Sequence, residues 1–527
     1  MEQSKWYRRR WIALIFLNIS LLVIALDNTV LNLALPSIAE ELGARASDLQ
    51  WIVDVYVLVF AGLLLTSGSI GDHIGRKRTL QLGLIVFALF SLGAALSTST
   101  GMLMVMRGFM GIGGALIMPS TLSTLTATFR DNKERAQAIA IWAATFGLGV
   151  GIGPLIGGWL LNNFSWSSVF YINLPVVAVG LIGGYFFIQN SKAEHARRLD
   201  IPGALLSIAG LFALVYGIIE AGMNGWTAPR VLMSFGGAAV LLTAFGIVEN
   251  RSKHPMLRMV FFKNPSFTGA NIALTLVFFG MFGSFFFLGQ YLQSVLGYTP
   301  MQAGVRLLPN AMVMSITAAN SSRIARRLGT KVTVALGTML TGSGFLYFAI
   351  IADVNTPYPS IVIGMCITAL GMGLTMSPAT NSIMGSIPVE EAGVGSAMND
   401  TTRQIGGALG VAVLGTLMNS GYLQQINAVQ WPAQAPPQLI DAVRSGIQGA
   451  HIAALTTSNL QISQLIIDKA DHAFVYGMTH GLTIGAIILA TASIVTLIIL
   501  PQKVRPYQRD IPVSGEGEGK RGVRASK

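Results

Sequence analysis

The chain has 527 residues, of which 52% are hydrophobic and 11% are charged, and its formal net charge is +12. Soluble domains carry about 25% charged residues, so this composition excludes a soluble globular protein. The basic residues lie in short clusters between apolar segments and form neither a basic stripe nor a known nucleic-acid-binding motif, which excludes a nucleic-acid-binding protein.

Nearly uncharged segments recur along the chain, each of roughly 18 to 25 residues, the length that crosses a bilayer as a helix. They predict an all-α integral membrane protein with 14 transmembrane helices. The first segment is too long for a cleavable signal peptide and has no A-x-A site before the next charge. The predicted helices cover residues 11–35, 51–70, 79–97, 102–126, 138–161, 167–189, 202–221, 231–249, 267–290, 303–322, 332–352, 359–385, 394–418 and 479–500.

The distribution of Lys and Arg predicts that both termini are cytoplasmic. With the N-terminus inside, 29 of the 35 basic residues fall in inside segments, and Arg107 lies within a helix. Short cytoplasmic loops are enriched in Lys and Arg, so this asymmetry supports the orientation, the helix count and a location in the cytoplasmic membrane. The basic residues on the outside or at its edge are Arg45, Arg230, Arg306, Arg444 and Lys469.

An internal repeat predicts two related halves. SGSIGDHIGRKRTL (67–80) follows predicted helix 2 and SRIARRLGTKVTV (322–334) follows predicted helix 10, so that Gly75 matches Gly329 and Lys77 matches Lys331. Paired helical halves are typical of transporters. We predict a 6+2+6 arrangement with an N-terminal half (1–190), two inserted helices (191–264), a C-terminal half (265–504) with a long outside loop (419–478), and a disordered cytoplasmic tail (505–527). Short amphipathic helices are expected in the loop, either as a cap over the cavity or as a spacer.

The stretch LDNTVLNLALP (26–36) places Asp27 in an otherwise uncharged helix. An acid at membrane depth is costly and is therefore a candidate functional residue. Asp27 shares an arc of about 140° with Ser20, Asn28 and Asn32 on the helix surface, and this arc is expected to face protein or a water-filled cavity. Two interpretations remain open. The carboxyl exchanges a proton for a cationic substrate, or it is a protonated acid that only hydrogen-bonds within the bundle.

Five motifs resemble signatures of one transporter family. Together they resemble the major facilitator superfamily, in particular its fourteen-helix drug:proton antiporter branch. The resemblance implies proton-coupled efflux of lipophilic, cationic drugs by alternating access, with no cofactor and no enzymatic reaction. The motifs are LDNTVLNLALPSI (26–38) in helix 1, WIVDVYVLVFAG (51–62) in helix 2, GDHIGRKR with Gly68 ahead of it in the following loop, RGFMGIGGALIMP (107–119) in helix 4 and GIGPLIGG (151–158) in helix 5.

The resemblance implies coupling roles for several charged residues. Asp54 is expected to be a cation-attracting acid at the outer mouth, with an interfacial helix cap as the alternative. Arg107 either takes part in proton transfer or is a structural partner of Asp27 or of buried carbonyls. Asp400 and Arg403, three residues apart on helix 13, can form a structural ion pair, with a proton or substrate role for Asp400 as the alternative.

The loop after helix 2 is expected to form a conformational latch from Gly68, Asp72, Gly75, Arg76 and Lys77. In this latch, Asp72 would accept hydrogen bonds from the N-terminal amides of a helix or pair with an arginine. These contacts would form in one conformation and break in the other. The alternative is that the basic residues only fix the topology. The second copy of the motif has Arg326 in place of the acid, so a charge latch would be one-sided.

Predicted helix 5 carries the antiporter signature residues Gly153, Pro154, Gly157 and Gly158. Glycines allow two helices to approach closely and proline allows a bend, so this helix is expected to provide a tightly packed sliding surface.

The resemblance implies a further acid in helix 10 of branch members that handle divalent cations. Helix 10 of this chain, LLPNAMVMSITAANSS, departs from that pattern: it offers Asn310 and Asn320 but no acid, which favours monovalent or neutral lipophilic substrates over dications. The first rival function is an exporter dedicated to one natural product or antibiotic. A membrane enzyme and a non-transporting sensor are the other rival functions, but the six histidines form no cluster that would support a membrane enzyme.

The lone cysteine, Cys366, lies in an apolar segment, so no disulfide framework and no metal site are expected. We expect a monomer whose partners are small molecules, protons and lipid.

Overall fold

The computed structural model describes residues 7, 9–44, 46–191, 200–252, 255–432, 436–457 and 459–505. Within these residues the chain is all-helical. Its sixteen α-helices are α1 (Arg10–Leu42), α2 (Ala46–Ile74), α3 (Arg76–Ala95), α4 (Thr100–Thr128), α5 (Asn132–Asn163), α6 (Ser168–Phe187, interrupted at Ile172), α7 (Ile201–Asn224), α8 (Pro229–Arg251), α9 (Pro265–Gln290), α10 (Pro300–Leu328), α11 (Thr330–Ile351), α12 (Tyr358–Gly385), α13 (Ala392–Asn427), α14 (Pro437–Arg444), α15 (Ile447–Thr456) and α16 (Leu460–Ile499). The predicted tail lies outside the described residues from 506 onward, as does Arg45.

Twelve of the described helices are long and apolar enough to cross a bilayer, so the chain is a multi-pass membrane protein. Two further long helices, α10 and α13, have 29 and 36 residues and are more polar. Both pack against several neighbours: α10 against α5 and α12, and α13 against α2, α9 and α16. Neighbouring helices can satisfy polar groups that lipid cannot. The number of 14 spans depends on these two helices and stays a prediction.

Several helices begin earlier than their apolar segments because polar residues cap them. The Asp131 carboxylate accepts hydrogen bonds from the amides of Lys133 and Glu134 and starts α5. The Ser99 hydroxyl caps α4 in the same way, and Thr299 forms a capping box with Gln302 at α10. Capping satisfies amides that have no partner within the helix, so α5 begins six residues, α10 three residues and α4 two residues before the predicted apolar segment.

The segment between α13 and the apolar part of α16 is helical, and we call it the cap as a name only, since its role over the cavity or as a spacer stays a prediction. It contains α14, α15 and the first turns of α16, which begins 19 residues before the predicted helix 14. Buried Val443, Ile447, Ala450 and Ile466 pack within it. The Tyr422 hydroxyl, near the end of α13, donates to the Val443 carbonyl at 2.7 Å and ties the cap to the bundle.

The two copies of the repeated motif have the same local structure, which we call the clasp. Gly75 and Gly329 both have positive φ, +114° and +85°. An added Cβ would overlap the side chain of Asn190 at Gly75 and that of Gln502 at Gly329. The amides that follow also correspond, because Arg76 N donates to Ser191 O at 2.9 Å and Thr330 N donates to Gln502 O at 3.0 Å.

Asn190 and Gln502 each lie three residues after the end of a helix, α6 and α16 respectively. The two loops therefore resemble each other in structure as well as in sequence: each loop glycine lies against an amide side chain from the segment that follows α6 or α16.

The clasp predicts that Gly329→Ala destabilises the protein. A backbone with φ +85° and ψ 156° is open essentially to glycine alone, and a side chain there costs on the order of 1–3 kcal/mol. We expect a lower midpoint of thermal unfolding in detergent. Gly237→Ala on α8 is the matched control, since its Cβ would meet nothing within 4 Å. Equal midpoints for the two variants would contradict the clasp.

Candidate functional site

The centre of the candidate site is a buried ion pair between α1 and α4. Asp27 is 3% exposed and Arg107 is 1% exposed. The Arg107 Nη1 donates to Asp27 Oδ2 at 2.6 Å, and its Nε donates to the Ile52 carbonyl of α2 at 3.2 Å. A charge-assisted hydrogen bond of this length is strong, and removing one partner of a buried pair leaves the other uncompensated. The structure shows Arg107 as the direct partner of Asp27. A part of Arg107 in proton transfer stays a prediction.

Residues on two further helices complete the surroundings of this pair. The Asn173 amide of α6 donates to Asp27 Oδ1 at 3.3 Å and to Ser91 Oγ of α3 at 3.1 Å. The guanidinium of Arg107 lies over the Tyr56 ring, 4.3 Å from its centroid. Both carboxylate oxygens of Asp27 are therefore engaged by protein groups. Asn173 was not predicted, although a lone amide in the apolar helix 6 was a signal for it.

A cavity of about 240 Å³ lies on the other side of α1, between α1 and α5 and the helices α9 and α10. Asn28, Thr29 and Asn32 line it, whereas Asp27 does not. The residues predicted to share one polar side of helix 1 thus face two places, because Asp27 points into the N-terminal bundle and Asn28 into the cavity. Motion of α1 would affect both.

The cavity wall is aromatic, aliphatic and amide-bearing. Phe146, Phe282 and Phe285 supply rings, and none of the lining residues is charged. Asn310 of α10 donates to the Met365 carbonyl at 3.1 Å, while its Oδ1 is buried without a partner. Such a wall can bind a flat apolar molecule through ring faces and offer it an amide oxygen.

Helix α5 packs against two neighbours through bare backbone. An added Cβ at Gly153 would overlap Thr29, and one at Gly157 would approach Val30 and Leu33, all on α1. On the other side, Gly151 faces Ala311 of α10, and Gly158 faces Met301 at the start of the same helix. Pro154 lines the cavity and contacts Gly304. The signature glycines therefore let α5 lie closely between the cavity-lining helices α1 and α10.

Three of the predicted latch residues, Gly68, Asp72 and Arg76, come together where α2 ends and α13 begins. Both oxygens of Asp72 accept from the Gly393 amide at 2.9 and 3.0 Å, and Oδ1 accepts from the Arg76 guanidinium at 2.7 Å. Arg76 also donates to the Val389 carbonyl at 2.6 Å. Because the first amides of a helix have no internal partner, a carboxylate binds there favourably. Gly68 is needed for the close approach, since a Cβ on it would overlap the backbone of Gly393.

Lys77, the last predicted latch residue, donates to the Tyr185 carbonyl at 2.7 Å near the end of α6. It therefore contacts the N-terminal half rather than α13. In the described part of the chain Arg326 makes no hydrogen bond or ion pair to α5, and a one-sided charge latch stays a prediction.

Asp54 is not a helix cap. The helix begins at Ala46, so Asp54 lies more than two turns inside it, and the interfacial-cap alternative is wrong. At about 100° per residue, Asp54 and Asp72 are five full turns apart on one face of α2, the face that meets α13. Within the described residues Asp54 makes no hydrogen bond or ion pair, and it does not line the cavity.

The ion pair considered for Asp400 and Arg403 does not form. Both side chains are buried on α13, yet no contact within 4 Å joins their charged atoms among the described residues. Arg403 instead faces the rings of Trp142, Phe146 and Phe278. The pairing prediction failed because aromatic side chains from other helices hold the guanidinium, and spacing along α13 carries no information about them.

Comparisons with known proteins agree on one family. A family model described as Major Facilitator Superfamily matches residues 17–411. The chain is 34% identical over 488 residues to the multidrug efflux pump LfrA of Mycolicibacterium smegmatis, covering 92% of this chain and 96% of that protein. It is 30% identical over 520 residues to the tetracenomycin C resistance and export protein of Streptomyces glaucescens, covering 97% and 96%.

A solved structure with the same fold is that of the human organic anion transporter MFSD10 (TETRAN). The TM-score is 0.60 at 13% identity, over 93% of this chain and 99% of that one. At this identity the likeness concerns the fold alone. The helical arrangement is therefore that of a transporter, and the relatives in sequence are drug and antibiotic efflux proteins.

The latch geometry predicts that Asp72→Asn shifts the protein toward separation of α2 and α13. The variant loses the charge that binds Arg76 and the α13 amides, and hydrogen bonds to a charged group contribute about 1.5–3 kcal/mol each. The measurement is the distance between spin labels at Arg78 and Glu390, both exposed, in a Cys366→Ser background. We expect a larger fraction of long distances than in the parent chain.

The control for this experiment is Asp441→Asn, which changes an exposed acid in the cap. Identical distance distributions for the parent chain and Asp72→Asn would refute the latch.

Proposed function

We propose that this chain, which belongs to the Major Facilitator Superfamily, is a drug:proton antiporter that exports lipophilic, mainly cationic compounds across the cytoplasmic membrane by alternating access. The observation that carries the proposal is the buried Asp27–Arg107 pair on the opposite side of α1 from the cavity. The names of the two relatives, a multidrug efflux pump and an antibiotic export protein, support drug efflux.

In this proposal the proton acts on the ion pair and the cargo acts on the cavity. A proton on Asp27 neutralises the carboxylate and leaves the Arg107 charge with only the Ile52 carbonyl and the Tyr56 ring. Because Asn28 and Thr29 follow Asp27 directly on α1, loosening the pair would move the cavity wall. Proton and cargo then oppose each other through α1 rather than by contact with the same oxygen atoms.

The proton gradient can drive such a cycle. Each pH unit supplies about 1.4 kcal/mol per proton, and the membrane potential adds about 2.3 kcal/mol per charge per 100 mV. Each 1.4 kcal/mol is roughly a tenfold concentration ratio of the cargo, so one or two protons per cycle suffice for substantial efflux.

The latch and the cavity support a conformation that is closed toward the cytoplasm. With both termini cytoplasmic, as the basic residues predict, the contact of Asp72 with Gly393 lies at the cytoplasmic end. The cavity lies toward the outside, since Asn28 and Asn32 are in the second half of α1. The paired clasps at Gly75 and Gly329 support two six-helix halves around an inserted pair, and hence 14 spans.

The uncharged cavity indicates the chemistry of the cargo. Ring faces hold delocalised cations by cation–π attraction, and methionines such as Met281 and Met314 add soft contacts. With no acid in the cavity wall, a compact dication would lack a counter-charge, which favours monovalent lipophilic cations or neutral compounds. We propose a monomer, because one chain supplies the ion pair, the latch and the cavity.

The second candidate function is export of a single natural product. It is supported by the relative named for tetracenomycin C resistance and export, and by a cavity that requires no charge on its ligand.

Asp27→Asn is expected to abolish efflux driven by a pH gradient, because an amide keeps the shape of the side chain and cannot carry the proton. The measurement is ethidium export from proteoliposomes with an imposed pH gradient. Asp441→Asn, on the exposed cap, is the matched control and should transport normally. Unimpaired gradient-driven export by Asp27→Asn, at equal protein level, would remove Asp27 from the mechanism.

Cells that express the chain are expected to tolerate several chemically unrelated lipophilic cations, and nigericin, which collapses the pH gradient, should stop their dye efflux. Growth inhibition across a compound panel, with and without the ionophore, is the measurement. Protection against one compound alone would favour the dedicated exporter. Efflux that is indifferent to the gradient would contradict proton coupling.

A further inference from the structure

Arg403 on α13 lies in a cage of aromatic rings. It is 3% exposed, and its guanidinium lies 4.7 Å from the ring centre of Trp142, 5.0 Å from that of Phe278 and 5.8 Å from that of Phe146. One nitrogen, Nη2, donates to Thr380 Oγ1 at 3.3 Å. The other two nitrogens, Nε and Nη1, are buried without an acceptor. The cage therefore holds the cation by ring faces and leaves most of its hydrogen-bonding capacity unused.

Asp400, three residues earlier on the same helix, lacks a hydrogen-bond donor, whereas Arg403 lacks acceptors. It is 1% exposed, its Oδ1 accepts from the Asn399 amide at 3.0 Å, and its Oδ2 is buried without a partner. An unpaired carboxylate buried this deeply is costly, whereas a protonated carboxyl is much less so. The two side chains are within reach of each other along the helix, yet they remain apart while the cage is formed.

The cage crosses the boundary between the two proposed halves. Trp142 and Phe146 belong to α5, whereas Arg403 and Phe278 belong to α13 and α9. Trp142 is fixed to the N-terminal side, because its Nε1 donates to Thr121 Oγ1 of α4 at 3.2 Å. Separation of α5 from α13 would therefore remove the rings of Trp142 and Phe146 from Arg403 and leave only that of Phe278.

The cage also lies between the latch and the cavity. Arg403 is ten residues beyond Gly393 on α13, which is about 15 Å along the helix axis. Phe146, at the other side of the cage, lines the cavity. A separation of the helices that starts at the latch would thus change the aromatic cage before it changes the cavity that holds the cargo.

We propose that Arg403 is a positioning residue that sets the protonation of Asp400 according to which end of the transporter is open. With the latch closed, the aromatic cage holds Arg403 away from Asp400, and Asp400 binds a proton. When the latch end opens, α5 withdraws, Arg403 pairs with Asp400 and the proton leaves. The guanidinium stays charged throughout, so each opening converts a carboxylic acid into a carboxylate paired with Arg403 and releases one proton.

This inference rests on the proposed function, and its direction agrees with that function. The proton is held while the cytoplasmic end is closed and is released when that end opens, which is the direction in which inward proton flow drives export. Asp27 and Asp400 would then be two proton sites, one in each half of the molecule.

Among the residues that the structure describes, no ion pair involves Asp400, and the charged groups on the helices around it are few. The helices α9 and α12, packed against α13, carry no charged residue over their described lengths, and α16 carries its charged residues only within 468–480, toward the cap. On the remaining long neighbours, α2 carries Asp48, Asp54, Asp72 and His73, α4 carries Arg107 and α7 carries Glu220. Arg107 is bound to Asp27 and Asp72 to the latch. On α13 itself, which is described over its whole length, Arg403 is the one other charged residue.

The test is an infrared pH titration of buried carboxyl groups in the purified full-length protein, with the Asp400 band identified by its loss in Asp400→Asn. Trp142→Leu removes the main ring of the cage and frees Arg403. We expect Asp400 in that variant to bind its proton at least tenfold more weakly than in the parent chain. Arg403→Gln removes the competing cation, so there the proton should bind at least tenfold more tightly.

Trp142→Phe is the matched control, because it keeps a ring face and should leave the Asp400 titration close to that of the parent chain. Arg403→Lys keeps the cation and should still respond to Trp142→Leu. An unchanged Asp400 titration in folded Trp142→Leu and Arg403→Gln would overturn the proposal and leave the cage a packing feature.

Failure of the switch is distinguishable from failure of proton-coupled export. Ethidium export by Asp27→Asn tests the latter without involving the cage. If that variant exports normally, Asp27 is removed from the mechanism. If ethidium export by the parent chain is indifferent to the pH gradient while the Trp142→Leu titration shifts, proton coupling is wrong and the change in Asp400 protonation stands. If Asp27→Asn is inactive and the titration does not shift, the switch alone is refuted.

Discussion

A charge inside a bilayer must find its partner within the protein, because lipid offers neither water nor counter-ions. The organisation of this molecule follows from that constraint. Asp27 is neutralised by Arg107 of another helix, and Asp72 by Arg76 and the first amides of α13. Each of these contacts joins two or more helices, so a change in its charge is also a change in how the helices pack.

The helices can respond to such changes because side chains are absent where they must approach most closely. Gly153 and Gly157 bring α5 against α1, and Gly151 brings it against α10. Packing through backbone lets neighbouring helices shift without first disengaging large side chains. In the function proposed above, the ion pair behind α1 is the contact that responds to a proton, and the glycine-lined contacts beside the cavity let its wall move.

Much of this arrangement could be predicted from the sequence, and the reasons for the rest are physical. A single acid in an uncharged helix identified Asp27, and the loop motif identified Asp72 and Gly68, because these signals lie within one short segment. The partner of a buried charge comes from a distant segment, so Asn173 and the aromatic cage of Arg403 were not foreseen. The sequence pattern also could not predict which way the Asp27 side chain points. One residue of helical rotation, about 100°, separates the protein-facing side of α1 from its cavity side. Helix lengths were underestimated at α2 and α16, where polar turns extend the helices beyond their apolar segments.

The most direct test of proton–cargo opposition is the release of protons when cargo binds. Tetraphenylphosphonium would be added to the purified protein in lightly buffered detergent solution, with a pH-sensitive dye reporting free protons. Binding should release protons in the acidic range where the buried acids are protonated, and Asp27→Asn should release fewer. Saturable binding of the cation without any release of protons, at every pH tested, would contradict the coupling between the ion pair and the cavity.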